Sequence, residues 1–207
     1  MRLETHALLR RTPKPAFQPG SIIQAGGRWL SHRGRPVRDV LVVNGHPDPA
    51  PERFCAALCE AYEFGARSRK RVTLRLNAGA VESATMDEAL EQIHWAGMLV
   101  LVYPLWLDRM PTALNELIAR AAETGLLKRE GDRRRGPPDL RTIVTMDMPA
   151  FAHRDLCRKP GRSALTSDAL AGLETERPTY IGCVNRLTEE RRLEWLDTVR
   201  ALGASDA

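Results

Sequence analysis

Two uninterrupted apolar runs, residues 40–43 and 98–102, constrain this chain more than any other feature. Consecutive apolar, largely β-branched residues leave neither face of a strand suited to water, so a sheet built on them must lie between two covering layers. Each run stops in a proline-stiffened loop that leads into a helical pattern: Asn44, Gly45, His46, Pro47, Asp48 and Pro49 after the first, residues 103–111 after the second. The crossovers to the next strand pattern are a dozen residues or longer, too long for hairpins and long enough for the helix that joins parallel strands. The expected product is an α/β three-layer sandwich with a parallel sheet of about five strands. In such sheets ligands bind in the crevice at the carboxyl edge, which is where both loops fall.

The remaining pattern fills in that alternation. Strands are expected over 37–43, 72–76, 98–102, 140–146 and 179–184, the second nearer a sheet edge because polar and basic residues occupy one alternation. Helices are expected over 51–68, opened by Pro51 and carrying Phe54, Leu58, Tyr62 and Ala66 at helical spacing, and over 112–122. Thr85 and Glu88 have capping-box spacing for a helix running to about Ala96. A short helix is expected over 165–173, and a last one over 188–202 with Leu193, Leu196, Val199 and Trp195 turned inward. Residues 1–36, rich in Arg, Pro, Gly and Ser, read as a basic arm with little regular structure, and residues 37–207 as one domain.

The net charge of +5 is unevenly placed: one acid faces eight basic residues in the first 38. Nucleic-acid binding is nonetheless not expected, because three tyrosines and four phenylalanines supply no aromatic-basic ladder for bases to stack on. Cys55, Cys59, Cys157 and Cys183 lack zinc-ribbon spacing, so no metal site is expected. With no signal-like segment and no apolar stretch near membrane-span length, the expectation is a cytoplasmic protein with reduced thiols.

The first loop has the parts of a phosphate site. His46 to Arg53 offers a glycine before the turn, prolines that stiffen it, the amides of Glu52, Arg53 and Phe54 at a helix start, and the Arg53 guanidinium. Asp48 and Glu52 oppose an anion unless they face away or cap the helix. Neither a dinucleotide glycine fingerprint nor a triphosphate loop is present. The second loop suits a flat, largely apolar ring with polar edges: Pro104, Leu105, Trp106 and Leu107 combine backbone donors and acceptors with an aromatic side chain.

Taken together, Gly45-His46-Pro47-Asp48-Pro49 with Arg53-Phe54, Val102-Tyr103-Pro104-Leu105-Trp106-Leu107 with Met110-Pro111, and Thr145-Met146-Asp147-Met148-Pro149 with Ile181-Gly182 resemble the flavodoxin-like NAD(P)H dehydrogenase (quinone) family over roughly residues 38–203. The resemblance implies strand order 2-1-3-4-5, a homodimer, FMN (alternatively FAD) as cofactor, NADPH or NADH as reductant, and a small quinone-like acceptor. It implies that His46, Pro47, Asp48, Arg53 and Phe54 lie at the flavin phosphate. Pro104, Leu105, Trp106 and Leu107 would lie at the ring, with Thr145, Met146 and Asp147 closing the site. His153 is the candidate catalytic residue, stabilising charge on the acceptor oxygen. The chain departs from the family where a serine commonly stands near the helix start, here Pro51 or Glu52, and where a second aromatic commonly follows Trp106, here Leu107. A flavodoxin-like regulatory or scaffold protein that has lost flavin binding is the alternative.

Overall fold

The computed structural model describes residues 39–106, 109–128, 137–149, 170 and 178–205. The basic arm over 1–36, Leu107 and Asp108, the helix expected over 165–173 save for the buried Leu170, and the candidate catalytic His153 lie outside the described residues.

Five parallel strands form one sheet in the order β2-β1-β3-β4-β5, as expected. They are β1 (Val40–Asn44), β2 (Thr73–Asn77), β3 (Met98–Leu105), β4 (Asp139–Met146) and β5 (Thr179–Ile181). The register pairs Val40 with Thr73 on one side and with Met98 on the other, then Met98 with Asp139 and Ile143 with Thr179. All of β1 and β3 is buried, while every residue of β2, on the sheet edge, is half-buried.

Side-chain alternation divides the core into two. Leu41, Val43, Leu99 and Leu101 face a cluster with Ile93, Leu114, Leu117 and Ile118, drawn from α2 (Met86–Trp95) and α3 (Thr112–Glu123). Val40, Val42, Met98, Val100 and Val102 face Leu58, Cys59, Tyr62 and Val199, drawn from α1 (Phe54–Ser68) and α4 (Glu189–Ser205). Burying both faces is what the continuous apolar runs require. Helices α1 and α4 approach until backbone meets backbone: a Cβ on Gly65 would stand 2.0 Å from the Arg200 carbonyl oxygen, and one on Gly203 would stand 2.2 Å from that of Tyr62.

Four local expectations are corrected. Helix α1 starts at Phe54 rather than Pro51, because Ala50 C=O accepts the Arg53 N–H at 3.0 Å; Pro51 therefore serves a β-turn, and Arg53 is extended (ψ 138°). Thr85 does not cap α2: its hydroxyl instead bonds Glu82 within a one-turn 3₁₀ segment. β3 runs through Pro104 to Leu105. Val102 C=O points toward β1, accepting the Gly45 N–H at 2.8 Å, so Pro104 points the same way two residues on, after β1 has turned off, and its missing N–H costs no ladder bond. The last strand ends at Ile181, since Cys183 adopts a left-handed φ of 55° and donates its N–H to Met148 C=O. No helix among the described residues is long and apolar enough to cross a membrane.

Candidate functional site

The loop after β1 is organised by side chains that replace missing backbone partners. Asn44 Oδ1 accepts the His46 N–H at 3.1 Å, His46 Nδ1 accepts the Asp48 N–H at 3.0 Å, and Asp48 Oδ1 accepts the Ala50 N–H at 3.0 Å. The intervening residues, Pro47, Pro49 and Pro51, have no N–H to satisfy. Side-chain acceptors at even positions and prolines at odd positions thus hold the loop rigid without a ladder. With Nδ1 accepting, neutral His46 carries its proton on Nε2 and keeps a donor available.

Continuing along the chain, the Arg53 N–H closes its turn and the Ala56 N–H bonds Arg53 C=O. No acceptor among the described residues takes the N–H of Glu52, Phe54 or Cys55. The latter two sit at the positive end of α1, where an anion is favoured. Of the three amides expected from the sequence, those of Glu52 and Phe54 remain available, Arg53's is consumed, and Cys55's joins them.

Those donors open into a cleft of about 280 Å³ at the carboxyl edge of the sheet, between β1 and β3, where chain direction across the sheet reverses. His46, Arg53 and Phe54 line one end; Pro104, Leu105 and Trp106, from the end of β3, form a largely apolar shelf; Thr145, Met146 and Asp147 come from β4 and its exit. Register places Pro104 beside Thr145 and Leu105 beside Met146, so sheet pairing fixes these walls relative to each other. Trp106 is half exposed and meets His46 edge-on, ring centroids 5.8 Å apart, while reciprocal backbone bonds with Arg109 pin its backbone.

Two expected site residues face elsewhere. Pro47 does not line the cleft, and Gly79 packs under its carbonyl. Asp48, also not a lining residue, takes the Arg53 guanidinium at 2.5 Å. The Ala50 N–H, and after it Arg53, hold the Asp48 carboxyl below the usual carboxylate range. Asp48 therefore faces away from the cleft, but it also neutralises the cation expected to assist there.

Sequence reasoning missed Cys55, Val184, Asn185 and Arg192, which line the cleft too; of Glu52 it counted the amide as a donor and the carboxylate as a misgiving. Cys55 Sγ lies 3.5 Å from Thr145 Oγ1; burial pushes its thiol up to about 11, against the hydrogen bond from Thr145, so it is a neutral wall of the site rather than a nucleophile. Arg192 was legible in α4's period. Counting from the buried Val199, residues 196, 195 and 192 share its face, whereas Leu193, expected inward, is off that face and 53% exposed. A charged residue at an inward position is the signal that was available.

The sequence profile of a family described as having a flavodoxin-like fold matches residues 38–165. No curated protein matches the chain significantly. Among solved structures, the chain is similar to an NAD(P)H:quinone oxidoreductase from Methanothermobacter marburgensis, with 17% identity and a TM-score of 0.64 over 81% of this chain and 95% of that one. It is similar to a putative quinone reductase from Klebsiella pneumoniae at 15% identity and a TM-score of 0.59, over 79% and 82%. An FMN-dependent NADH-azoreductase from Bacillus anthracis in complex with FMN matches at 13% identity and a TM-score of 0.56, over 81% and 98%. At these identities the likeness is one of fold.

Proposed function

The chain belongs to the flavodoxin-like fold family, and on that premise we propose that it is a flavin-dependent oxidoreductase that moves hydride from NADPH or NADH to a quinone or similar small acceptor. The observation that carries this reading is the pairing, in one cleft, of open amide donors at the start of α1 with an apolar shelf and an edge-standing tryptophan at the end of β3. A flavin mononucleotide has that same division: an anionic phosphate at one end and a flat ring at the other. The names of structural neighbours, two of them quinone reductases and one an FMN-dependent azoreductase, support the same reading.

The residues present fit the group. The N–H groups of Phe54 and Cys55, with His46 Nε2, would hold the phosphate, and Pro104, Leu105, Trp106 and Met146 would hold the ring. Bound there, FMN, or FAD in its place, would supply the two-electron chemistry that links the nicotinamide to the acceptor. The chain's own work is to orient and to exclude water. Pairing of β3 with β4 fixes the shelf, the proline-rich loop fixes the donors without side-chain rearrangement, and the neutral Cys55 thiol presents no competing nucleophile. His153 would stabilise developing charge on the acceptor oxygen, an assignment that rests on the chemistry of its imidazole, and a second copy of the chain would complete the site as a homodimer, which rests on sequence resemblance.

Steady-state oxidation of NADH and NADPH by FMN-loaded protein, with benzoquinone and an azo dye as alternative acceptors, tests the proposal. The expected result is turnover well above free FMN, with parallel double-reciprocal lines for a substituted-enzyme route. Rates equal to those of free FMN with every acceptor would refute it.

A further inference from the structure

Arg192 stands in the first turn of α4, the end of a helix where a positive charge is disfavoured. Its neighbour Arg191 behaves as a solvent residue, pairing with Glu194 at 2.5 Å on the exposed side. Arg192 turns inward instead. One Nη donates to Val184 C=O at 3.0 Å, and the guanidinium lies over the Phe54 ring, 5.2 Å from its centroid. These two contacts fix the plane of the guanidinium in the lining of the cleft, over the ring of the residue that begins α1. No carboxylate among the described residues lies within ion-pair distance of it. A guanidinium has five N–H donors, and the bond to Val184 uses one.

The other guanidinium of the cleft is committed. Both Arg53 Nε and Arg53 Nη hold Asp48 Oδ2, at 2.7 and 2.5 Å, so that pair contributes little net charge. The loop also lacks a hydroxyl: between His46 and Arg53 there is neither serine nor threonine. Among the described residues that line the cleft, an entering anion therefore meets one uncommitted guanidinium, Arg192, delivered from a helix far along the chain.

We propose that Arg192 selects a phosphorylated ligand over its unphosphorylated counterpart in this cleft, its guanidinium receiving the phosphate monoester together with the Phe54 and Cys55 N–H groups. This rests on the flavin reading for the identity of the ligand, but not for the chemistry of the phosphate end. The cation takes the part that a loop hydroxyl and an unpaired Arg53 do not play here. Glu52 and Asp147 also line the cleft, but both are exposed, so solvent screens their repulsion of an anion.

Dissociation constants for FMN and riboflavin, read by flavin fluorescence at two salt concentrations, test the proposal in wild-type protein, Arg192→Gln, Arg192→Lys and Arg53→Gln. Loss of one charge-assisted contact predicts that Arg192→Gln weakens FMN by about tenfold or more, leaves riboflavin unchanged and flattens the salt dependence. Arg192→Lys recovers part of the loss, and Arg53→Gln has the smaller effect. Equal weakening of both flavins by Arg192→Gln, or an unchanged FMN to riboflavin ratio, would overturn it. If wild-type protein binds neither flavin, the oxidoreductase reading fails while the anion end is still decided by inorganic phosphate. Phosphate-dependent thermal stabilisation lost in Arg192→Gln sustains the inference, and stabilisation that is absent or equal in both proteins sinks it.

Discussion

Replacing Gly65 by alanine gives the sharpest reading of how the two helices that wall the cleft are held together. In an exposed helix interior, glycine to alanine stabilises by about 1 kcal/mol. At Gly65 the new Cβ would stand 2.0 Å from Arg200 C=O and 2.9 Å from the Ala204 N. Both obstacles are backbone, so no rotamer change relieves the clash, and α1 and α4 must separate by more than 1 Å to reach ordinary contact. Overpacking costs about 1–3 kcal/mol, and a clash that only backbone movement relieves falls in the upper part of that range, about 2–3 kcal/mol, which outweighs the propensity gain and leaves a net loss of about 1–2 kcal/mol. For a domain of this size that is a fall in Tm of about 2–8 °C, read by differential scanning calorimetry. The two helices run in parallel from the cleft, with Phe54 at the start of one and Arg192 near the start of the other, so FMN affinity should fall along with Tm. A Gly65→Ala protein with raised Tm and unchanged FMN affinity would refute the reasoning.

Three further outcomes are expected. Glu63 is buried between Arg67, 2.7 Å away, and Arg75 on β2, so Glu63→Leu should lower stability by about 3 kcal/mol in urea titration, and Arg75→Leu added to it should restore part of that; a neutral single variant would contradict the buried network. The Cys55 thiol is raised from 9.0 to about 11, so the stability gained by holding its proton is fully present below pH 9 and lost as pH rises through about 11; wild-type protein should lose about 2–3 kcal/mol over that window from this group, and Cys55→Ala should show a shallower alkaline slope. Trp106→Ala should leave stability within about 0.5 kcal/mol, because the side chain is half exposed, yet weaken FMN about tenfold by titration; a folded variant destabilised by about 2 kcal/mol or more with unchanged FMN affinity would assign Trp106 to the core.

How much of this was legible in the sequence follows from how local each signal was. The runs at 40–43 and 98–102 determine their own burial, so the layered parallel sheet and both cluster faces could be read directly. Pro104 misled, because a proline ends a strand only where a neighbour needs its N–H, and which neighbour it faces depends on where β1 turns away. Thr85 misled because its hydroxyl found Glu82 before α2 could use it. In the site, nearly all of the residues expected on the first, second and third loops that the structure describes do line one cleft, since each loop follows directly from a legible strand. Arg53 was misjudged because its partner, five residues back, decides whether its charge is available. The inward position of Arg192 was legible in α4's period, but its partner was not: Phe54, more than 130 residues away, is reached only through the packing of α4 on α1, which no local pattern specifies.

Flavin binding by this cleft is tested most directly by one titration: visible absorbance from 350 to 550 nm as FMN is added to the purified protein, followed anaerobically by NADH and NADPH. The expected result is a saturable shift of the flavin bands at a stoichiometry of one per chain, bleached on adding nicotinamide. An FMN spectrum unchanged by tens of micromolar protein would contradict it and leave a flavodoxin-like scaffold in its place.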